Sequence, residues 1–342
     1  MVKAVDSTTP AQAAELPAPA VGATRHRPRV VDARLLLLLI VVAAGSRGLL
    51  SGLFDDPALQ TWSTIFVSIT IQALPFLVLG VLLSGSVAVL VPPGWLARAL
   101  PRRTTLAVPV AGLAGAALPG CECASVPIAA RLRDRGVSTA AAFAFMLAAP
   151  SINPVVLVTT AVAFPGRPEM VVARFLASLL TSVGVGLLWI RFGRESWIGR
   201  CRVRTVAGEN RWQSFGATVR EDFLQAGGWL VVGAVAAASL QVFVPRSLLD
   251  LVAGNELVAA GCLGLLAVAL AICSEADAFV AASLRQFSLS ARLVFLVVGP
   301  ALDVKLIAMH AGIFGRRFAL RFAPLTFGVA AASALLVGRW LL

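Results

Sequence analysis

Charged side chains are scarce in this chain of 342 residues: 13% are Asp, Glu, Lys or Arg, whereas 58% are hydrophobic. Soluble domains carry about 25% charged residues, so the composition excludes a soluble globular protein and predicts an integral membrane protein. The net charge of +12 does not indicate a nucleic-acid partner. The arginines lie in short segments between apolar runs, as the positive-inside rule expects for loops on the cytoplasmic side of a membrane.

Familiar catalytic and metal-binding motifs are also missing. The chain has no nucleotide-binding loop, no Gly-x-Ser-x-Gly elbow and no His-Glu-x-x-His motif, so we expect neither an ATP-driven pump nor a membrane hydrolase, and no enzyme. Five cysteines form no disulfide framework and have no zinc-finger spacing. We therefore expect no cofactor and no structural metal. A signal peptide is not evident, because the first apolar run starts late and lacks a clean cleavage site.

The long apolar runs divide the chain into five parts. A helix needs roughly 20 apolar residues to cross a membrane, and most of the runs are long enough. We predict a disordered cytoplasmic tail at 1–33, an extra transmembrane helix at 34–54, a first repeat at 63–191, a basic cytoplasmic loop at 192–220 and a second repeat at 221–342.

Two halves of the chain resemble each other. Residues 71–92 align without gaps on residues 224–245, and further matches follow at a similar offset. Internal repeats are the usual construction of secondary transporters, so we predict an all-α multi-pass membrane protein built from two repeats. The matching polar, glycine and cysteine positions include Gln72 and Gln225, Gly80 and Gly233, Cys123 and Cys273, and Asn153 and Asp303.

The distribution of arginines predicts that the second repeat is inverted. Basic segments at 98–103 and 131–135 flank the same apolar run, 106–130, so both of its ends should face the cytoplasm. Such a run must enter the membrane and return, as a re-entrant segment whose tip lies near Glu122. Each repeat then has three crossings, and an odd number inverts the next repeat. We expect a cytoplasmic N-terminus, an external C-terminus and a location in the cell (inner) membrane.

Glu122 lies between Cys121 and Cys123 at the predicted tip. A carboxylate at membrane depth costs about 2.5–3.5 kcal/mol on insertion scales, so it should carry a proton, reach the membrane interface or cap a half-helix. The second repeat places Glu275 and Asp277 shortly after Cys273. Thiols and carboxylates together suit soft or borderline metals, although free cysteines are also common small core residues.

Prolines interrupt a further pair of apolar runs. Lys305 is one of only two lysines, and its counter-ion is expected to be Asp303, Glu275 or Asp277, in a structural pair or in gating. His310 either extends a proton relay or lies at the interface. Arg174 and Trp189 are interpreted as anchors at the membrane interface. The interrupting residues are Pro150, Asn153 and Pro154 in the first repeat, and Pro300 and Asp303 in the second.

The stretch "PGCECASVPIAARLRDRGVSTAAAFAFMLAAPSINPVV" resembles a predicted bacterial permease family that includes the organoarsenical efflux permeases. The shared elements are the Cys-x-Cys of Cys121 and Cys123 followed by Pro127, the Arg135–Gly136 turn, and Ala149 to Pro154. The resemblance covers residues 35 to 342 and implies a permease that exports small compounds, with trivalent organoarsenicals as the clearest substrate type. The chain departs from the family pattern at Glu122, where a small polar residue is common, and in the second-repeat element "CSEAD", which has a single cysteine.

These observations predict a membrane permease that exports a small solute by proton-coupled alternating access, with Glu122, Glu275 and Asp277 as proton carriers. The expected partners are the small-molecule substrate, protons and the lipid bilayer. The alternative is a membrane redox or metal-handling protein that uses the Cys-x-Cys element. The predicted substrate and ion pathway consists of Cys121, Glu122, Cys123, Pro127, Pro150, Asn153, Pro154, Cys273, Glu275, Asp277, Pro300, Asp303 and Lys305.

Overall fold

The computed structural model describes residues 57–90, 98, 100–101, 103–117, 122–199, 210–243 and 255–342. The predicted tail, the predicted extra helix and Cys121 lie outside these residues. Within the described residues the chain forms α-helices and one 3-10 turn, without a β-strand. The all-α prediction is therefore confirmed.

Within the part of the chain that the structure describes, six α-helices make up the first half, with a long helix at each end and four short helices between them. A single 3-10 turn, Glu195–Trp197, follows them. The helices are α1 (Pro57–Leu90), α2 (Thr104–Gly115), α3 (Glu122–Asp134), α4 (Thr139–Ala148), α5 (Pro154–Ala163) and α6 (Pro168–Phe192).

The second half contains long and short helices in the same order. Its first helix begins at Arg211, inside the segment predicted as a loop. The two-repeat organisation and its inversion stay predictions, which this common order supports. The helices are α7 (Arg211–Phe243), α8 (Glu256–Leu270), α9 (Asp277–Ser283), α10 (Leu289–Ala301), α11 (Val304–Ile313) and α12 (Arg316–Leu341).

Five segments within the described ranges are long and apolar enough to cross a membrane: Pro57–Leu90, Pro168–Phe192, Trp212–Leu240, Leu289–Ile313 and Arg316–Leu341. Large apolar side chains cover their outer faces, where water would disfavour them and lipid would not. Leu320 and Leu336, for example, are 74% and 68% exposed. The chain is therefore a multi-pass membrane protein.

Helix α2 runs beside α4 in the same direction. Val108 in α2 and Ala140 in α4 both lie against Gly186 of α6, and further along, Gly115 lies against the backbone of Ala149. The beginnings of α2 and α4 are therefore at one level, and so are their ends.

Helix α3 returns in the opposite direction. It is joined to α4 by a tight turn at Gly136, whose φ of 89° lies in the left-handed region that glycine adopts without steric cost. Both ends of the segment 104–134 are consequently at the same end of the bundle, and Gly115 and Glu122 lie further along it. This is the geometry that the sequence predicts for a re-entrant segment.

Short helices begin at two breaks inside longer apolar runs. At the first break, the Asn153 side chain accepts a hydrogen bond from the Val156 N–H at 3.0 Å, and Pro154 occupies the first helical position, where its missing N–H costs nothing. At the second break, Asp303 accepts a hydrogen bond from the Leu306 N–H at 2.7 Å. Both breaks therefore end in a capped helix N-terminus.

Glycines bring two short helices, α3 and α11, close to the long helices α1 and α7. A Cβ atom built on Gly80 of α1 would lie 2.6 Å from the Cα of Ala124 in α3, and one on Gly233 of α7 would lie 2.6 Å from the Cα of Lys305 in α11. Small residues permit this close approach of helix backbones in membrane proteins. The two contacts fix the beginnings of α3 and α11 in the interior.

Two predicted interface residues lie in the core instead. His310 is 1% exposed and Trp189 is 6% exposed, so the interface interpretation was wrong for both. Edge-on aromatic contacts surround them, including Phe318 against each ring. Buried aromatic side chains of this kind are among the largest contributors to a core.

Candidate functional site

A buried ion pair joins the beginnings of α3 and α11. The Lys305 Nζ donates a hydrogen bond to the Glu122 Oε1 at 2.9 Å, and both side chains are almost fully buried. Glu122 was absent from the counter-ions that the sequence suggested for Lys305. The pair therefore connects the two halves of the chain, each at the beginning of a short helix.

Two further groups complete the polar cluster. The Ser274 Oγ donates to the second Glu122 oxygen, Oε2, at 3.3 Å. Asp303, one of the predicted counter-ions, has its Oδ2 at 3.2 Å from the Lys305 Nζ. This contact is an ion pair, and Oδ2 accepts no hydrogen bond of good geometry. Lys305 is therefore shared by two carboxylates.

A cavity of about 270 Å³ opens beside this cluster. Its lining includes Glu122, Cys123, Cys273 and Lys305, together with polar residues of α1 such as Gln72. Binding sites in proteins are commonly apolar cavities with a few converging polar groups. Four of the predicted pathway residues thus line one cavity. Asp303 does not line it but contacts Lys305, which does.

Asp277 pairs with Arg174 instead of Lys305. The Arg174 Nη1 and Nη2 donate to the two Asp277 carboxylate oxygens at 2.9 and 2.7 Å, and Nη1 also donates to the Thr160 Oγ1 at 2.9 Å. Arg174 is 0% exposed, so its interpretation as an interface anchor was wrong. An arginine inside an apolar span needs a buried carboxylate, and that rule could have paired it with Asp277.

The sequence analysis missed a third buried pair entirely. The Arg131 Nη2 donates to the Asp222 Oδ1 at 2.8 Å, and the Ser84 Oγ donates to the Asp222 Oδ2 at 3.0 Å. Arg131 belongs to the basic cluster before Gly136, which we interpreted only as a topology signal. Like the other two pairs, this one connects the first half to the second.

The remaining predicted residues do not line the cavity. Pro127 lies within α3, Pro150 follows α4, and Pro300 lies in the last turn of α10. Asn153 and Pro154 form the start of α5, and half-buried Glu275 lies between α8 and α9. The described residues contain no group of three His, Cys, Asp or Glu side chains placed to hold a metal ion.

Comparison with known proteins agrees with this architecture. A family described as "predicted permease" matches residues 58–339 of the chain. The chain belongs to this permease family. It is therefore a membrane permease. Like other members of this family, it is a multi-pass protein of a bacterial cell membrane.

Two relatives match most of the chain, and a third matches part of it. UPF0718 protein YcgR of Bacillus subtilis is 35% identical over 282 residues, which cover 80% of this chain and 96% of that protein. A Streptococcus mutans protein, described as a putative two-component membrane permease complex subunit, is 32% identical over 282 residues, covering 80% and 94%. UPF0718 protein YraQ of Escherichia coli is 39% identical over 84 residues, covering 24% and 23%. No solved structure matches the chain.

Proposed function

We propose that this permease exports a small solute in exchange for protons, and that the solute binds in the cavity beside Glu122 and Lys305. The observation that supports this proposal is the buried charged pair at the wall of a cavity, where the breaks of both halves meet. In secondary transporters, substrate and coupling ion bind near the midplane between repeats, at discontinuous helices. The pair also connects the two halves that alternating access would move.

The cavity thiols favour a thiol-reactive solute, such as a trivalent organoarsenical. Cys123 and Cys273 both line the cavity, and both are buried free cysteines. Thiolates are soft ligands, and both cysteines line the cavity together with Lys305. The buried carboxylates of the same cluster, Glu122 and Asp303, supply groups that can take up a proton during the transport cycle.

Growth of a strain that lacks the gene should therefore become sensitive to a member of a toxic-solute panel that includes trivalent organoarsenicals. Restored resistance should require Cys123 and Cys273, so Cys123→Ser and Cys273→Ser should each lower it. Cys262→Ser is the matched control, because Cys262 lies in α8 away from the cavity lining. Resistance that survives both serine substitutions would contradict the thiol-reactive substrate.

Inverted vesicles then test the coupling. Glu122→Gln keeps the size of the side chain and leaves Lys305 paired with Asp303, so the protein should still fold, but uptake of the identified solute should no longer respond to a pH gradient. Full gradient-dependent uptake by this variant would show that proton coupling does not need Glu122.

A further inference from the structure

The buried charges do not balance. Among the residues that the structure describes, four carboxylates and three cations are buried, apart from His310. Arg131 with Asp222 and Arg174 with Asp277 form two matched pairs, joined by three and two N–O hydrogen bonds respectively. The remaining cation, Lys305, faces both Glu122 and Asp303. One buried carboxylate is therefore in excess at the site.

An uncompensated buried charge is strongly unfavourable, and such a group takes up a proton instead. The two candidates differ in the groups around their oxygens. Each Glu122 oxygen accepts a hydrogen bond, from Lys305 and from Ser274. On Asp303, Oδ1 accepts from the Leu306 N–H, but the fully buried Oδ2 accepts none. Hydrogen bonds to a carboxylate favour its charged form, and Asp303 Oδ2 has only its ionic contact with Lys305.

We propose that Asp303 Oδ2 is the proton-binding atom of this permease and that Lys305 connects its protonation to the cavity. With Asp303 protonated, Lys305 is paired with Glu122 alone. When the proton leaves, the Asp303 carboxylate competes for Lys305 and loosens its bond to Glu122 at the cavity wall. This inference rests on the proposed proton-coupled function and assigns the proton to a residue that the sequence-based set of carriers does not contain.

The charged and titratable groups around Asp303 are few. His310, two turns along α11, is enclosed by phenylalanine rings. Asp277 is matched by Arg174. The groups nearest to Asp303 and Lys305 are Glu122 and Cys123 on α3, and Cys273 before α9.

Infrared spectroscopy of the full chain in lipid nanodiscs tests the assignment without a substrate, because a protonated carboxyl group has its own carbonyl band, shifted by deuterium exchange. At neutral pH the wild type should show this band. Labelling aspartate with ¹³C at the carboxyl carbon should shift it, and the same label in glutamate should not. Asp303→Asn should abolish it. Asparagine keeps the helix cap, as Asn153 does at the start of α5, so this variant should fold.

Glu195→Gln is the control, because Glu195 is an exposed carboxylate paired with Arg133, and its removal should leave the band unchanged. A band that shifts with labelled glutamate, or no band in the wild type, would overturn the assignment. The band reports bound protons whether or not transport occurs. If Asp303→Asn loses the band while wild-type vesicles show no gradient-dependent uptake, the assignment holds and the proposed transport function fails.

Discussion

At the scale of single residues, loss of one partner of the Arg174–Asp277 pair should strongly lower the free energy of unfolding. Removing one partner of a buried ion pair leaves the other charge uncompensated and typically costs about 3–5 kcal/mol, whereas well-packed apolar replacements of both partners are often neutral. Asp277→Asn should therefore lower the thermal midpoint of the purified protein in detergent strongly, and Arg174→Met with Asp277→Leu should recover most of it.

The exposed Arg133–Glu195 pair supplies the comparison. Its N–O distance of 3.0 Å resembles that of the buried pair, but the Glu195 side chain is 64% exposed. Surface pairs of this kind contribute about 0–1 kcal/mol, so Glu195→Gln should shift the midpoint little. Equal shifts for Asp277→Asn and Glu195→Gln would contradict the assigned importance of the buried pair.

The sequence was sufficient to identify candidate functional residues, but it could not predict which of them contact each other. Glu122, Asp303 and Lys305 are conspicuous, because charged residues are rare inside apolar runs. Their pairing depends on the packing of α3 against α11, which are separated by more than half of the chain, and no local pattern encodes that contact. Arg131 was visible too, but its position in a basic cluster suggested a cytoplasmic turn and concealed its bond to Asp222.

At the scale of helices, the return of the chain through α2 and α3 determines the topology. Single cysteines at Arg103 and Asp134, in a background without the native cysteines, should both resist a membrane-impermeant maleimide added from outside intact cells. Both positions should react in inverted vesicles, because they lie at the same end of the bundle. External labelling of only one of them would exclude the re-entrant segment and require a further crossing.

The helix pattern was predictable where prolines and polar residues punctuate apolar runs. The capped starts of α5 and α11 coincide with the Asn153 and Asp303 positions that the repeat alignment paired. The start of α7 at Arg211 was not anticipated, because the sequence there is basic and polar. The contacts that α7 makes with α1, rather than local hydrophobicity, account for helix formation in its first turns.

At the scale of the whole molecule, the long contact between α1 and α7 connects the two halves. Gly85 of α1 lies against Val219 of α7, close enough for a disulfide between cysteines placed there. If transport requires the halves to move relative to each other, oxidised Gly85→Cys/Val219→Cys protein should lose transport and regain it on reduction.

A second cysteine pair, Gly112→Cys/Ser182→Cys, provides the matched control. It would join α2 to α6 at another glycine contact, where a Cβ on Gly112 would lie 3.3 Å from the Ser182 Oγ, but both helices belong to the first half. Its oxidation should leave transport largely intact if each half moves as a unit. Loss of transport with both pairs would indicate motion within a half rather than between the halves.

The glycine contacts at Gly80 and Gly233 have a mechanical consequence. Helices usually lock together because side-chain ridges of one fit the grooves of the other, and sliding must unseat those ridges. At these two points backbone meets backbone, with no side chain on the glycine to interlock. A shift of α3 over α1, or of α11 over α7, would therefore displace no glycine side chain. The two contacts lie beside Glu122 and Lys305 on opposite halves, so a change in the charged pair would not require the long helices to separate.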